Sequence, residues 1–240
     1  MLLDQARELA EAGDTKTAIH LLDAHPNADE AMKAYEDLVH YLYWQKKNIQ
    51  AVVILAQAGV ERMLHESETA GESHSERRLA ALRRARVMIF NLASFCWPGW
   101  NEPGISLTES EIQAGREAAK RNRELGLVLN PTPIMSAHAA WTIGAYHLTD
   151  KKYTEAVLYF EESARFALQA ENEAEHLLGQ AYAQLARCLE SGEEGAESRK
   201  QLVEIKQRLS LAKDGPEYVR QVDTAEAVCR AGLNRRRSRA

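Results

Sequence analysis

The sequence predicts an all-α fold, and three observations carry that expectation. Apolar residues recur at helical spacing nearly everywhere along the 240 residues. Only 6 prolines and 13 glycines occur, against many Ala, Leu, Glu and Arg, which are good helix formers. No segment makes a convincing strand. The best candidate, "AVVILA" at 51–56, has flanks that continue a helical face, Lys46-Lys47-Asn48 before it and Gln57 to Glu61 after it, so a buried helix is expected there.

Turn-forming clusters divide the chain into eleven helices, expected at 2–12, 15–25, 29–46, 48–66, 74–96, 109–128, 133–149, 151–170, 172–190, 194–213 and 216–231. Asp14 after Gly13, and Asp150 after Thr149, mark short turns between paired helices. Ser73 with Glu76, and Thr108 with Glu111, each place a hydroxyl three residues before a carboxylate. Side chain and backbone can then satisfy each other's orphan donors in a capping box. "SGEEGAES", 191–198, reads as a mobile loop. The stretch "SFCWPGWNEP", 94–103, breaks the pattern: Pro98, Gly99, Pro103 and Gly104 fix its course, yet it is apolar. It should fold back as a compact plug, with Trp97 and Trp100 over a helix pair or bordering a groove, and core packing is the expectation for Trp100.

Charge and motifs narrow the function classes. A net charge of -5 argues against general nucleic-acid binding, and the basic run Arg235-Arg236-Arg237-Ser238-Arg239 reads as a frayed terminus. Cys96, Cys188 and Cys229 are far apart and suit core positions in a reducing compartment. No basic segment followed by an apolar run opens the chain and no stretch approaches about 20 apolar residues, so a cytoplasmic protein without membrane contact is expected. Among the eight histidines, His65 and His74, like His138 and His147, stand nine apart, and His20 and His25 five apart, spacings poor for a shared metal on a helix. Glycine-rich phosphate loops and Gly-x-Ser-x-Gly elbows are absent, so neither catalytic residues nor a cofactor are expected.

The helices also repeat. "WTIGAYHLTDKKYTEAVLYFEESARFA", 141–167, carries Ile143-Gly144, then Tyr153, Ala156 and Phe160; "LLGQAYAQLA" then gives Leu178-Gly179 and Tyr182, with Gly179 falling 35 residues after Gly144. Upstream, Ala18 and Ala51 stand 33 apart, each followed four residues later by a leucine, Leu22 and Leu55, while Ala6 and Val39 take the glycine place. In these positions the chain resembles the tetratricopeptide-repeat family. Small residues there let neighbouring helices approach, and Tyr153 and Phe160 fill the space between pairs. The resemblance covers 1–65 and 136–190, and extends to 74–128 if a longer insertion separates those two helices.

What the resemblance implies is a single right-handed α-α superhelix over 1–231. Its five antiparallel pairs would lie near 1–30, 31–66, 74–130 with an insertion at 97–107, 136–170 and 171–213, followed by a C-terminal capping helix and a flexible basic tail at 232–240. It also implies a concave groove lined by the first helix of each pair. Carried over residue by residue, the groove positions are Lys33, Glu36, His40, Tyr43 and Trp44, then His138, Trp141 and Leu148, then Glu173, His176 and Gln180. Arg84 and Asn91, seven apart on one face with Arg77, match the cation and asparagine with which family members grip a terminal carboxylate. The expected function is therefore non-catalytic binding of a peptide or protein partner, with Tyr43, Trp44 and Trp141 as anchors. Two alternatives remain open: a sensing domain with an enclosed pocket rimmed by Trp97 and Trp100 beside Trp141, and an all-helical hydrolase or transferase with converging carboxylates or histidines.

Overall fold

The computed structural model describes residues 2–70, 75–192 and 195–237, and within them it has eleven α-helices and no strand. They are α1 Leu2–Glu11, α2 Thr15–Asp23, α3 Ala28–Tyr41, α4 Ile49–Thr69, α5 Ser75–Phe95, α6 Glu109–Val128, α7 Pro133–Thr149, α8 Tyr153–Gln169, α9 Glu173–Ser191, α10 Ala196–Ser210 and α11 Gly215–Arg237. "AVVILA" lies inside α4, with Ala51, Val52, Leu55 and Ala56 buried. None of the described helices is long and apolar enough to cross a membrane.

Local chemistry sets the starts. The side chains of Asp14, Asn27, Asn48 and Asn172 accept backbone N–H bonds at the first turns of α2, α3, α4 and α9. Each cap of this kind is worth about 1 kcal/mol. The Thr108–Glu111 capping box forms at α6 as expected. Ser73 and His74 lie outside the described residues, as do Glu193 and Glu194 of the loop expected at 191–198. At the other ends, several turns close on a non-glycine residue in the left-handed region: Lys47, Asn130, Lys151, Glu171 and Asp214, with φ between 47° and 62° for all such residues.

Two boundaries differ most from expectation. α3 stops at Tyr41 and the chain continues through a π turn, Leu42–Lys46. The wider turn leaves both Leu42 and Tyr43 buried while Trp44 stays outside. α11 runs on past 231 to Arg237, because arginine favours helix and no proline follows; Ser238, Arg239 and Ala240 lie outside the described residues.

The chain packs as two compact units, Met1–Cys96 with Gly104–Leu129, and Trp97–Pro103 with Asn130–Ala240. In the first, α1 packs on α2, α3 on α4, and α5 on α4 and α6; α1 also lies beside α3, and α2 beside α4. Arg7 sits over the Tyr41 ring at 4.6 Å and Lys46 pairs with Glu11 at 2.8 Å, so α1 and α3 run the same way about 34 residues apart. Ala6, Ala18, Leu22, Val39 and Leu55 are fully buried where these helices meet, and a Cβ on Gly59 would come within 3.1 Å of the Tyr35 ring.

In the second unit, α8 packs between α7 and α9, α10 on α9, and α11 on α9, α10 and the 3-10 turn Pro98–Trp100. The expected small positions do what close packing demands. A Cβ on Gly144 would come within 2.9 Å of the Phe160 ring, and one on Gly179 within 2.9 Å of the Ala164 backbone nitrogen. Ala156 and Phe160 are fully buried, whereas Tyr153 is only half-buried.

Candidate partner-binding surface

In the first unit, α3 and α5 present one continuous polar and aromatic face. The π turn leaves the Trp44 indole 53% exposed, edge-on to Tyr43 and Phe95 and with the Lys47 ammonium 5.3 Å from its ring. One turn earlier, Asn91 Nδ2 donates to His40 Nε2 at 3.1 Å, and the His40 ring stands edge-on to Phe95. Earlier still, Arg84 reaches the Asp29 carbonyl at 3.4 Å and its carboxylate at 3.8 Å. These contacts pair start with start and end with end, so α3 and α5 run in the same direction.

Glu36 lies along the same row, half-buried. Burial pushes its carboxyl above the ordinary range, and the nearby Arg84 guanidinium pulls the other way. Lys33 is exposed, and Val87, one turn from Arg84 on α5, is 49% exposed. Sequence reasoning missed Val87 because a lone exposed valine on an arginine-rich helix carries no signal of its own.

Tyr43, expected as a groove anchor, is instead core. Its ring stacks on Phe95 with centroids 3.9 Å apart, leaving 3% of it exposed. Tyr43 and Trp44 are sequence neighbours, and helical periodicity alone could not say which of the two the turn would bury.

In the second unit the aromatic residues cluster. Trp97 is 2% exposed, and its Nε1 donates to the Ala145 carbonyl and the Thr149 hydroxyl, both at 3.0 Å. Trp100 packs edge-on to Trp97 at 4.8 Å and stacks on Trp141 at 5.5 Å. Trp141 in turn meets Tyr182 edge-on at 5.2 Å. Trp97 is thus no pocket rim, since two hydrogen bonds and three ring contacts hold it inside. Gly99 permits this geometry, because a Cβ there would fall 2.2 Å from the Trp97 ring. Trp100 is partly exposed and gives its flat face to Trp141, so both belong chiefly to packing. Trp141 Nε1 and the Tyr182 hydroxyl are buried without a hydrogen-bond partner among the described residues.

The remaining expected positions of this unit part company. His138 bonds Glu175 of α9 at 2.9 Å and, further along both helices, Trp141 meets Tyr182, so α7 and α9 run in the same direction. His176, only one residue further on, sits about 100° around α9 and donates through Nδ1 to the Ala164 carbonyl of α8 at 2.9 Å. Together with Gln180 it lines a cavity of about 560 Å³ walled by α8 and α10, with α9 as its floor. Leu148 is buried and Glu173 exposed. The cavity's other polar residues, among them Arg165, Gln184, Arg187 and Arg208, were not expected, although Gln180, Gln184 and Arg187 share one helical face.

Burial pushes the Cys96 thiol up to about 12 and the Cys229 thiol up to about 11, so neither is a ready thiolate. Among the described residues no three His, Cys, Asp or Glu side chains gather where they could hold a metal ion. Compared with models of known protein families and with curated proteins, the chain matches none.

Proposed function

We propose that the protein is a tetratricopeptide-like helical repeat protein whose role is to bind a peptide or protein partner, and that the partner lies along the α3–α5 face. The parallel courses of α1 with α3, α3 with α5, and α7 with α9 support the repeat reading, as do the close approaches at Gly144 and Gly179. The observation that carries the binding site is Trp44. An indole 53% exposed, backed by Tyr43 and Phe95 and followed along one face by His40, Asn91 and Arg84, is the arrangement of a contact anchor with polar neighbours. Arg84 and Asn91 remain the groups for a partner carboxylate, and engaging it means exchanging the Asp29 and His40 bonds.

A phage-displayed random peptide library panned on the full chain tests this. Binding of the selected peptides, followed by fluorescence polarisation, should weaken about 10-fold or more in Trp44→Ala and further on adding Arg84→Ala, with helix content by circular dichroism unchanged. Selected peptides that bind Trp44→Ala and wild type equally would remove the α3–α5 face from consideration.

A further inference from the structure

The cavity between α8 and α10 belongs to the second unit, whereas the α3–α5 face belongs to the first. We infer that it receives an extended acidic peptide segment, with one aspartate or glutamate side chain held between Arg165 and Arg208. Three observations carry this. The first is size and make-up. About 560 Å³ falls within the range of ligand pockets, and the walls mix apolar Leu168, Ile205 and Ala164 with charged and amide groups.

The second is charge. Three arginines line the cavity, Arg165, Arg187 and Arg208, against two carboxylates, Glu161 and Glu204. Arg187 is already taken by Glu161, and Glu204 lies 4.0 Å from Lys200 on its own helix. Arg165 on the α8 wall and Arg208 on the α10 wall have no carboxylate partner among the described residues. These two guanidiniums, one on each wall, can flank a single carboxylate from both sides.

The third is the floor. Gln184 Nε2 donates to Gln201 Oε1 at 2.6 Å, but Gln184 Oε1 is buried with no donor among the described residues. Its terminal torsion is broad, so a small turn of the amide presents that oxygen to a ligand N–H. A peptide backbone supplies such a donor next to its acidic side chain. A free amino acid would instead bring an ammonium group among three arginines.

The test pans a random peptide library displayed on phage against the full chain carrying Trp44→Ala, which separates this site from the α3–α5 face. The expected result is a shared Asp or Glu in the selected peptides. Replacing that residue with Gln or Asn in a synthetic peptide should weaken binding about 10-fold or more by fluorescence polarisation. The double variant Arg165→Ala, Arg208→Ala should weaken the parent peptide equally, and Gln184→Leu should weaken it less. Because the peptide substitution leaves the protein untouched, a folding defect in the variants cannot mimic it. An empty panning, selection without an acidic residue, or equal binding by the double variant would overturn the proposal. Tighter binding when phosphoserine replaces the acidic residue would overturn its single-carboxylate chemistry.

Discussion

Trp44 lies in the π turn that follows α3 and Trp141 in the middle of α7, and the surroundings of the two rings differ in kind. Around Trp44 the π turn buries Leu42 and Tyr43 and leaves the indole outside, beside His40 and Lys47. Around Trp141 the segment Trp97–Trp100 lies against the ring, and α11 packs on the same turn, so the indole is absorbed into a cluster with Tyr182 and Phe160. The difference teaches that a tryptophan's place along the chain does not decide its use. What decides it is whether another element supplies the apolar surface that covers it, since an uncovered ring retains its binding potential and a covered one has already contributed it to folding.

Substitutions can break or sharpen this contrast. The largest effect is expected from Trp97→Ala, which removes a fully packed indole and both its hydrogen bonds. It should cost about 3–5 kcal/mol in urea unfolding, whereas Trp44→Ala should cost about 1 kcal/mol or less. Equal losses at the two sites would erase the distinction. Gly179→Ala comes next, with an expected cost of about 1–3 kcal/mol, because the new methyl meets the Ala164 backbone rather than a movable side chain. A neutral outcome there would mean that α8 and α9 can separate freely.

Glu36 offers a pH handle on the exposed face. Its folded-state pKa is raised, by burial first, so its contribution to stability is fully present below the unfolded value and is lost as pH rises through the folded one. Glu36→Gln should therefore be the more stable protein above that range, and the gap should shrink as the medium is acidified and Glu36 takes up its proton. Denaturant midpoints measured from acidic to neutral pH on both proteins check the sign. The smallest effect belongs to the turns: Glu171→Gly relieves a residue held at φ 54° and should raise the unfolding free energy by about 1 kcal/mol or less. A loss instead would show that the Glu171 side chain contributes more than its backbone strain costs.

Much of the architecture was legible beforehand. The eleven helices follow from apolar periodicity, Gly144 and Gly179 marked close approaches because a Cβ would not fit there, and Ala6 and Val39 are buried. The plug at 97–100 was legible too, since turn residues that carry two tryptophans must bury them. The candidate site was legible only in part. His40 and Asn91 touch across α3 and α5, but Tyr43 turned inward, and His176 and Gln180 line a different surface from His138.

The physical reason is the same in each case. By itself the sequence determined where the chain is helical, which residues share a face of each helix, and which contacts must be tight, because those depend on local periodicity and side-chain volume. Which face a neighbouring element covers depends on contacts between residues far apart in the chain. Only the tertiary structure could decide that Tyr43 meets Phe95, that Trp97 and Trp100 cover Trp141, and that α8 and α10 stand apart over α9 to leave a charged cavity.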